Sequence, residues 1–270
     1  MTSATLLSRV IPPNVLGAKK AHRLLERNLM VYKHGWLVIL SGFFEPLFYL
    51  FSIGVGIGQL VGEIPTAGGQ PVSYAAFVAP ALLAASAMNG AVFESTMNIF
   101  FKLKYAKVYD AILATPVGTG DIAVGEITWS LIRGALYAIG FMIVMLAMGL
   151  MESAWAIMAL PAALLIGFAF GAVGMAATSF MRSWQDFDMI SVITLPLFLF
   201  SATFYPLSVY PGPVQAVARM SPLYHGVELI RALTLGVFDW SIVGHVAFLV
   251  VMGLIGLSIA ARRLDGLLLT

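Results

Sequence analysis

The sequence predicts an all-α integral membrane protein, a single domain of residues 1–270 with six transmembrane helices. Three observations support this fold class: the composition, six uncharged windows of spanning length, and the distribution of basic residues. Hydrophobic residues form 60% of the chain and charged residues 10%, whereas soluble domains carry about 25% charged residues. The lipid bilayer is therefore the expected solvent.

Composition also excludes several classes of function. A net charge of +2 is too small to indicate a nucleic-acid partner. The chain contains no cysteine, which excludes disulfides, thiolate catalysis and cysteine-ligated metals. Pro12 and Pro13 interrupt the N-terminal stretch where a signal peptide needs a continuous apolar segment, so no cleavage is expected.

A spanning helix needs about 20 mostly apolar residues. The windows that satisfy this requirement are 36–60, 74–93, 128–151, 154–180, 189–205 and 243–261. An even number of spans places both termini on one side of the membrane. Most of the 15 lysine and arginine residues fall on that side, and basic loops are retained in the cytoplasm. Both termini are therefore predicted to be cytoplasmic.

Residues 17–33, before the first span, are predicted to form an amphipathic helix in the membrane interface. Its basic residues recur every four positions, at Lys19, Arg23 and Arg27. The opposite face is apolar and comprises Ala21, Leu24, Leu25, Leu29 and Tyr32. Such a helix contacts acyl chains with one side and anionic headgroups with the other, so membrane lipids are expected partners.

Two further regions lie between spans. Residues 101–125 form the longest internal cytoplasmic loop and are the natural docking surface for a cytoplasmic partner. Residues 206–240 are external, and prolines interrupt their start. Ser221 and Pro222 are expected to begin a helix that Gly236 ends. Because these helices are too short to span, they are predicted to re-enter the outer leaflet.

Four stretches carry a resemblance to a known family. They are Phe43-Phe44-Glu45-Pro46-Leu47, residues 109–117 with the sequence YDAILATPV, residues 198–207, and residues 221–233 with SPLYH at their start. Their order and their places in the predicted topology agree with the family pattern. The chain resembles the ABC-2 type permeases, and among them the nodulation-factor exporter permeases (NodJ) and the daunorubicin-type drug exporter permeases.

This resemblance implies a homodimeric permease in the bacterial cytoplasmic membrane that pairs with two copies of a separate ABC ATPase. ATP and magnesium would bind the partner, and this chain would hold no cofactor and no metal and perform no catalysis. The absence of a G-x-x-x-x-G-K-[ST] motif agrees with that division. The implied substrate is amphipathic: a lipid-linked or lipid-modified oligosaccharide, or a hydrophobic drug, moved out of the cytoplasm or inner leaflet.

The resemblance also assigns candidate site residues. Contact with the ATPase, and coupling to it, is expected from Arg23, Arg27, Lys102, Lys104, Lys107, Tyr109, Asp110 and Pro116. The substrate pathway is expected to involve Glu45, Phe198, Phe204, Tyr205 and Tyr224. The aromatic members also fit a second interpretation, since aromatic residues commonly anchor helices at the membrane interface.

Charged residues inside the spans leave alternatives open. Glu45 could couple substrate or conformation, or could hold two helices together through a hydrogen bond. A proton-coupled secondary transporter would use Glu45, Glu94 and Arg133 as a relay, although six spans are few for that class and no internal repeat is evident. An intramembrane enzyme acting on a lipid would need a convergent polar cluster, and none is evident in the sequence.

Further polar residues share helical faces. Glu126, Ser130 and Arg133 form a stripe that could face a dimer cavity, or Arg133 could extend to the inner headgroups. External His225, Glu228 and Arg231 are spaced by three residues. We interpret the last two as an ion pair and not as part of a metal site, because no second histidine lies nearby at ligand spacing.

Small residues recur every four positions at Gly54, Gly58 and Gly62, and again at Gly167 and Gly171. This spacing lets helices approach closely in lipid. Packing within the chain is the expected explanation.

Overall fold

The computed structural model describes residues 15, 17–33, 44, 46–65 and 71–268. Helices dominate these residues, with one short antiparallel hairpin of β1 (Glu63–Pro65) and β2 (Pro71–Ser73). The helices are α1 (Ala21–Tyr32), α2 (Pro46–Val61), α3 (Tyr74–Tyr105), α4 (Val108–Leu113), α5 (Thr119–Ala147), α6 (Ala154–Thr178), α7 (Asp186–Phe200), α8 (Gly212–Met220), α9 (Pro222–Leu235) and α10 (Ser241–Leu268). An all-α membrane fold is confirmed.

Among the described residues, four helices are long and apolar enough to cross a bilayer: α3, α5, α6 and α10. Of the predicted first span, residues 36–43 and 45 lie outside the described part of the chain, and α2 represents the remainder. In the predicted fifth span, α7 has 15 residues, about 22 Å at 1.5 Å per residue, less than the hydrocarbon thickness of about 30 Å. The six-span topology therefore stays a prediction.

The predicted cytoplasmic loop 101–125 is largely helical. Helix α3 continues to Tyr105, a left-handed Lys107 (φ 45°) turns the chain into α4, and α5 begins at Thr119, not at residue 128. Asp121 stabilises this early start, because one carboxylate oxygen accepts the Gly118 N–H at 3.0 Å. Hydropathy misplaced both helix ends because their polar residues, such as Lys102, are buried against protein.

Helix α3 forms the centre of the bundle and packs on α2, α5, α6 and α9. Its buried face is made mostly of alanine and leucine, and the large side chains of Phe141, Met145 and Ile166 fill the space beside it. Helices α6 and α10 come into backbone contact at Gly256, where an added Cβ would lie 2.7 Å from the backbone nitrogen of Val173. This contact leaves no room for a side chain.

The glycines that were predicted to allow close helix packing lie against other helices of the same chain. At Gly54 an added Cβ would lie 3.7 Å from Ala75 Cα, and at Gly171 it would lie 3.8 Å from Ala91 Cβ. Gly62 has a different role, since its φ of 74° ends α2. In these places small residues bring α2 and α6 against α3, as helices in lipid require.

In the segment predicted to be external, helix α9 has the predicted boundaries. Helix α9 begins directly after Ser221 and ends at Gly236, whose φ of 75° is the left-handed conformation that glycine adopts without strain. It packs on α3, α6 and α10 with Leu223, Val227 and Ile230 buried. Re-entry of α8 and α9 into the outer leaflet stays a prediction.

Candidate functional site

Helices α1 and α4 border a groove at one end of the bundle. It has a volume of ≈ 430 Å³, and Arg23, Arg27, Lys107, Ile112 and Thr115 are among its lining residues. Lys20 joins the two sides, because its Nζ donates to the Pro116 carbonyl at 2.6 Å and its backbone N–H donates to Asp121 at 2.8 Å. The two regions expected to contact an ATPase thus form one surface.

The exposed candidates on or beside this groove are Arg23, Lys104, Lys107, Asp110 and Pro116, and Arg27 is half-buried. Two other candidates, Lys102 and Tyr109, are buried. Lys102 is buried because its Nζ pairs with Glu126 Oε2 at 2.7 Å. Tyr109 is 1% exposed, and burial together with the neighbouring Glu126 carboxylate raises the pKa of its hydroxyl.

Helix α1 is held against α5 at a close contact. Gly125 permits it, since an added Cβ would lie 2.8 Å from Leu24 Cβ and 3.1 Å from the Ala21 carbonyl oxygen. The buried residues of α1 are Leu24 and Asn28, and Asn28 Nδ2 lies 3.5 Å from Glu126 Oε2. Leu24, on the predicted apolar face, thus packs against the bundle together with the polar Asn28, whereas Leu29 on that face is 65% exposed.

A second buried ion pair joins α3 to α5. Arg133 donates to Glu94, and its other terminal nitrogen donates to the Tyr137 hydroxyl at 3.0 Å. The guanidinium also lies 5.1 Å from the centre of the Tyr32 ring on α1. Burial and the Glu94 carboxylate raise the pKa of Tyr32. Glu94 thus binds Arg133 within the protein.

The Glu94–Arg133 pair borders a cavity of ≈ 480 Å³ between α2, α3, α5 and α7. Its polar lining includes Asn89, Glu94, Ser130, Arg133, Tyr137 and Thr194. Its apolar lining includes Pro46, Leu82, Phe93, Phe187, Ile190 and Phe198. A space with both kinds of wall suits an amphipathic molecule.

Comparison with known proteins bears on this arrangement. Residues 20–235 match the ABC-2 type transporter family. The chain belongs to that family. This membership confirms the predicted resemblance and makes the chain a multi-pass membrane transport protein.

Three relatives of this permease share the same name. It is similar to nodulation protein J of Rhizobium leguminosarum bv. trifolii, with 35% identity over 213 residues, which cover 78% of this chain and 79% of the relative. The protein of that name from Rhizobium meliloti (strain 1021) is 33% identical with the same coverage. That of Rhizobium leguminosarum bv. viciae is 31% identical over 245 residues, covering 88% and 93%.

The predicted pathway residues of the permease are distributed over several places. Phe198 lines the cavity and contacts Phe204, with ring centres 5.2 Å apart. Tyr205 lies beside Tyr210 at 5.4 Å, and burial raises the pKa of Tyr210 to about 12. Glu45 lies outside the described residues. The aromatic candidates therefore do not line a single path.

Tyr224 borders a separate cavity of ≈ 200 Å³. The predicted ion pair beside it is present: Arg231 Nη1 donates to Glu228 Oε1 at 2.6 Å. Arg231 also donates to the Ala202 carbonyl at 2.8 Å, which joins α9 to the chain after α7. These bonds give Arg231 a structural role.

The sequence analysis missed one contact of helix α9. His225 Nδ1 lies 2.8 Å from His245 Nδ1 on α10, so a second histidine is close in space although 20 residues away in sequence. Within the described ranges, no group of three histidine, aspartate or glutamate residues could hold a metal ion. The two rings connect α9 to α10.

Proposed function

We propose that this permease is the membrane-spanning subunit of an ATP-driven exporter. Two copies pair with two copies of a separate ABC ATPase, which binds ATP and magnesium, while this chain carries no cofactor. Both termini face the cytoplasm, and the complex lies in the bacterial cytoplasmic membrane. The groove between α1 and α4 carries this proposal, because it gathers Arg23, Arg27 and Lys107 at the end of the bundle where the basic loops lie.

Transmission from the ATPase to the membrane is mechanical in this proposal. Movement at the groove reaches α5 through the Leu24–Gly125 contact, and it reaches α3 through Lys102 and Glu126. Both helices line the ≈ 480 Å³ cavity. Two π-helical turns in α3, Glu94–Asn98 and Phe101–Tyr105, provide places where its hydrogen bonding can rearrange.

The substrate is proposed to be amphipathic. The relatives named nodulation protein J favour a lipid-modified or lipid-linked oligosaccharide over a hydrophobic drug. The mixed walls of the cavity support an amphipathic molecule in general. Of the predicted pathway residues, Phe198 is the described one that contributes to this cavity.

Co-purification with the ABC ATPase encoded beside this gene tests the assignment. Lys104→Glu and Lys107→Glu reverse charges at the docking end and are expected to weaken association and ATP turnover. Arg219→Glu, an exposed charge reversal on the proposed external side, is the matched control and should assemble normally. Equal association of the ATPase with all three variants would contradict the proposed docking of the ATPase at the groove.

A proton-coupled secondary transporter is the second candidate, favoured by the charged Glu94–Arg133 pair within two spanning helices. It predicts that no ATPase co-purifies and that transport follows a proton gradient. Glu45 would then be the first residue to substitute.

A further inference from the structure

The last residue of α1, Tyr32, contacts the ion pair at the wall of the ≈ 480 Å³ cavity. Its hydroxyl accepts hydrogen bonds from Asn98 Nδ2 at 3.2 Å and from Arg133 Nη1 at 3.4 Å. The same two side chains hold the Glu94 carboxylate, because Asn98 donates to Oε1 and Arg133 donates to Oε2. The Tyr32 hydroxyl therefore binds both of the groups that fix Glu94.

The ring of Tyr32 makes contacts that do not depend on its hydroxyl. Its centre lies 5.3 Å from the centre of the Trp129 ring and 5.1 Å from the Arg133 guanidinium. A guanidinium is attracted to the face of an aromatic ring. Phenylalanine at position 32 would keep these ring contacts and would lose only the hydrogen bonds of the hydroxyl.

The two partners on α3 mark the ends of a π-helical turn, with Glu94 as its first residue and Asn98 as its last. In a π-helix each N–H bonds to the carbonyl five positions earlier, and in an α-helix to the one four positions earlier. A return to α-helix would therefore rotate Asn98 relative to Glu94 about the helix axis. The Tyr32 hydroxyl opposes that rotation. On another side of the turn, the Thr178 hydroxyl of α6 donates to the Ser95 carbonyl at 2.9 Å.

Helix α1 connects this turn to the groove between α1 and α4. Arg23 lines the groove, and Tyr32 follows nine positions later, about 14 Å along the helix. Glu94 and Arg133 line the cavity. A displacement of α1 that breaks the bonds of the Tyr32 hydroxyl thus removes a constraint on the cavity wall.

We propose that Tyr32 is the positioning residue that couples α1 to the cavity. Its hydroxyl holds Glu94, Asn98 and Arg133 in the arrangement of the π-helical turn, and its displacement lets the turn rearrange. The turn is then the element with two arrangements that a conformational switch requires. The assignment rests on the proposed function, because it names the contact through which the ATPase at the groove changes the cavity.

Hydrogen exchange of the full chain in nanodiscs, without the ATPase, tests whether Tyr32 holds the turn. Amide exchange reports local opening, and mass spectrometry resolves the peptide that contains residues 94–98. Tyr32→Phe is expected to exchange about fivefold faster there, the effect of one hydrogen bond. Tyr74→Phe makes the same chemical change at the other end of α3 and should exchange like wild type. Equal exchange in wild type and Tyr32→Phe would overturn the assignment.

The same measurement on the complex with its ATPase tests the coupling. In wild type, a non-hydrolysable ATP analogue with magnesium is expected to accelerate exchange of residues 94–98 about fivefold, because it displaces the hydroxyl. Tyr32→Phe should assemble normally and show no further acceleration. Thr178→Val also weakens the turn, but it lies on α6 and should keep the nucleotide response. A purely structural role of Tyr32 would give the two variants the same response and overturn the proposal.

The outcome is separable from the exporter proposal. A permease that binds the ATPase but shows the same nucleotide response in wild type and Tyr32→Phe retains the exporter proposal and loses the role of Tyr32. A wild-type permease that recruits no ATPase contradicts the exporter proposal and the coupling role together. Exchange without the ATPase then still shows whether the Tyr32 hydroxyl holds the turn.

Discussion

Replacing Gly125 with alanine should loosen α1 from the bundle. The added Cβ would lie 2.8 Å from Leu24 Cβ and 3.1 Å from the Ala21 carbonyl oxygen, closer than ordinary van der Waals contact allows. Overpacking of this kind destabilises a protein by about 1–3 kcal/mol. The higher helix propensity of alanine offsets part of that loss, by up to about 1 kcal/mol. Because Ala21 contributes a backbone atom, a side-chain rotation alone cannot relieve the contact.

Gly244→Ala on α10 is the matched control, since an added Cβ there meets no atom within 4 Å. Gly244→Ala has the same gain in helix propensity but no steric clash. The difference in unfolding free energy between the two variants therefore measures the overpacking at Gly125, which is expected to be about 1–3 kcal/mol. Unfolding in detergent gives that difference, and limited proteolysis at α1 localises it. Equal stability and equal proteolysis of the two variants would refute the proposed contact between α1 and α5.

Three further predictions follow from the structure. Lys102→Met should destabilise the protein by about 3–5 kcal/mol because Glu126 is left buried without its partner; adding Glu126→Gln should restore much of the loss in denaturant unfolding. Burial and the neighbouring histidine lower the pKa of His225, so the unfolded chain binds more protons and stability should fall as pH falls from about 7.5 to about 5; His225→Gln should flatten that profile. In the naturally cysteine-free chain, an impermeant maleimide should label Trp240→Cys but not Lys104→Cys in intact cells, and the reverse pattern would contradict the proposed orientation.

Hydropathy predicted the spans that are apolar along their whole length. The predicted windows 74–93, 154–180 and 243–261 fall on α3, α6 and α10, and local signals gave both ends of α9. Hydropathy failed to predict the helix ends whose charged residues form ion pairs inside the protein. Helix α5 begins earlier than predicted because Glu126 and Lys102 satisfy each other inside the protein, and no periodicity reveals that pairing.

The candidate site depends on contacts between distant parts of the chain, and the sequence shows few of them. The sequence predicted the α1 and α4 regions separately as contacts for a partner, and the fold brings them together in one groove. The sequence analysis grouped Glu94 and Arg133 only in the alternative proton relay, and the structure joins them as an ion pair across 39 positions. The burial of Asn28 had no sequence signal, because asparagine usually marks a solvent-facing surface.

ATP-driven movement of an amphiphile in proteoliposomes is the activity that defines the proposed exporter. The permease and its ATPase are reconstituted together, and the inner-to-outer movement of a fluorescent glucosyl diacylglycerol is followed with and without ATP. An ATP-driven exporter should move the lipid only when both ATP and the ATPase are present, and the movement should be unchanged when the proton gradient is collapsed. Movement that continues without ATP and stops when the proton gradient is collapsed would identify a proton-coupled transporter instead.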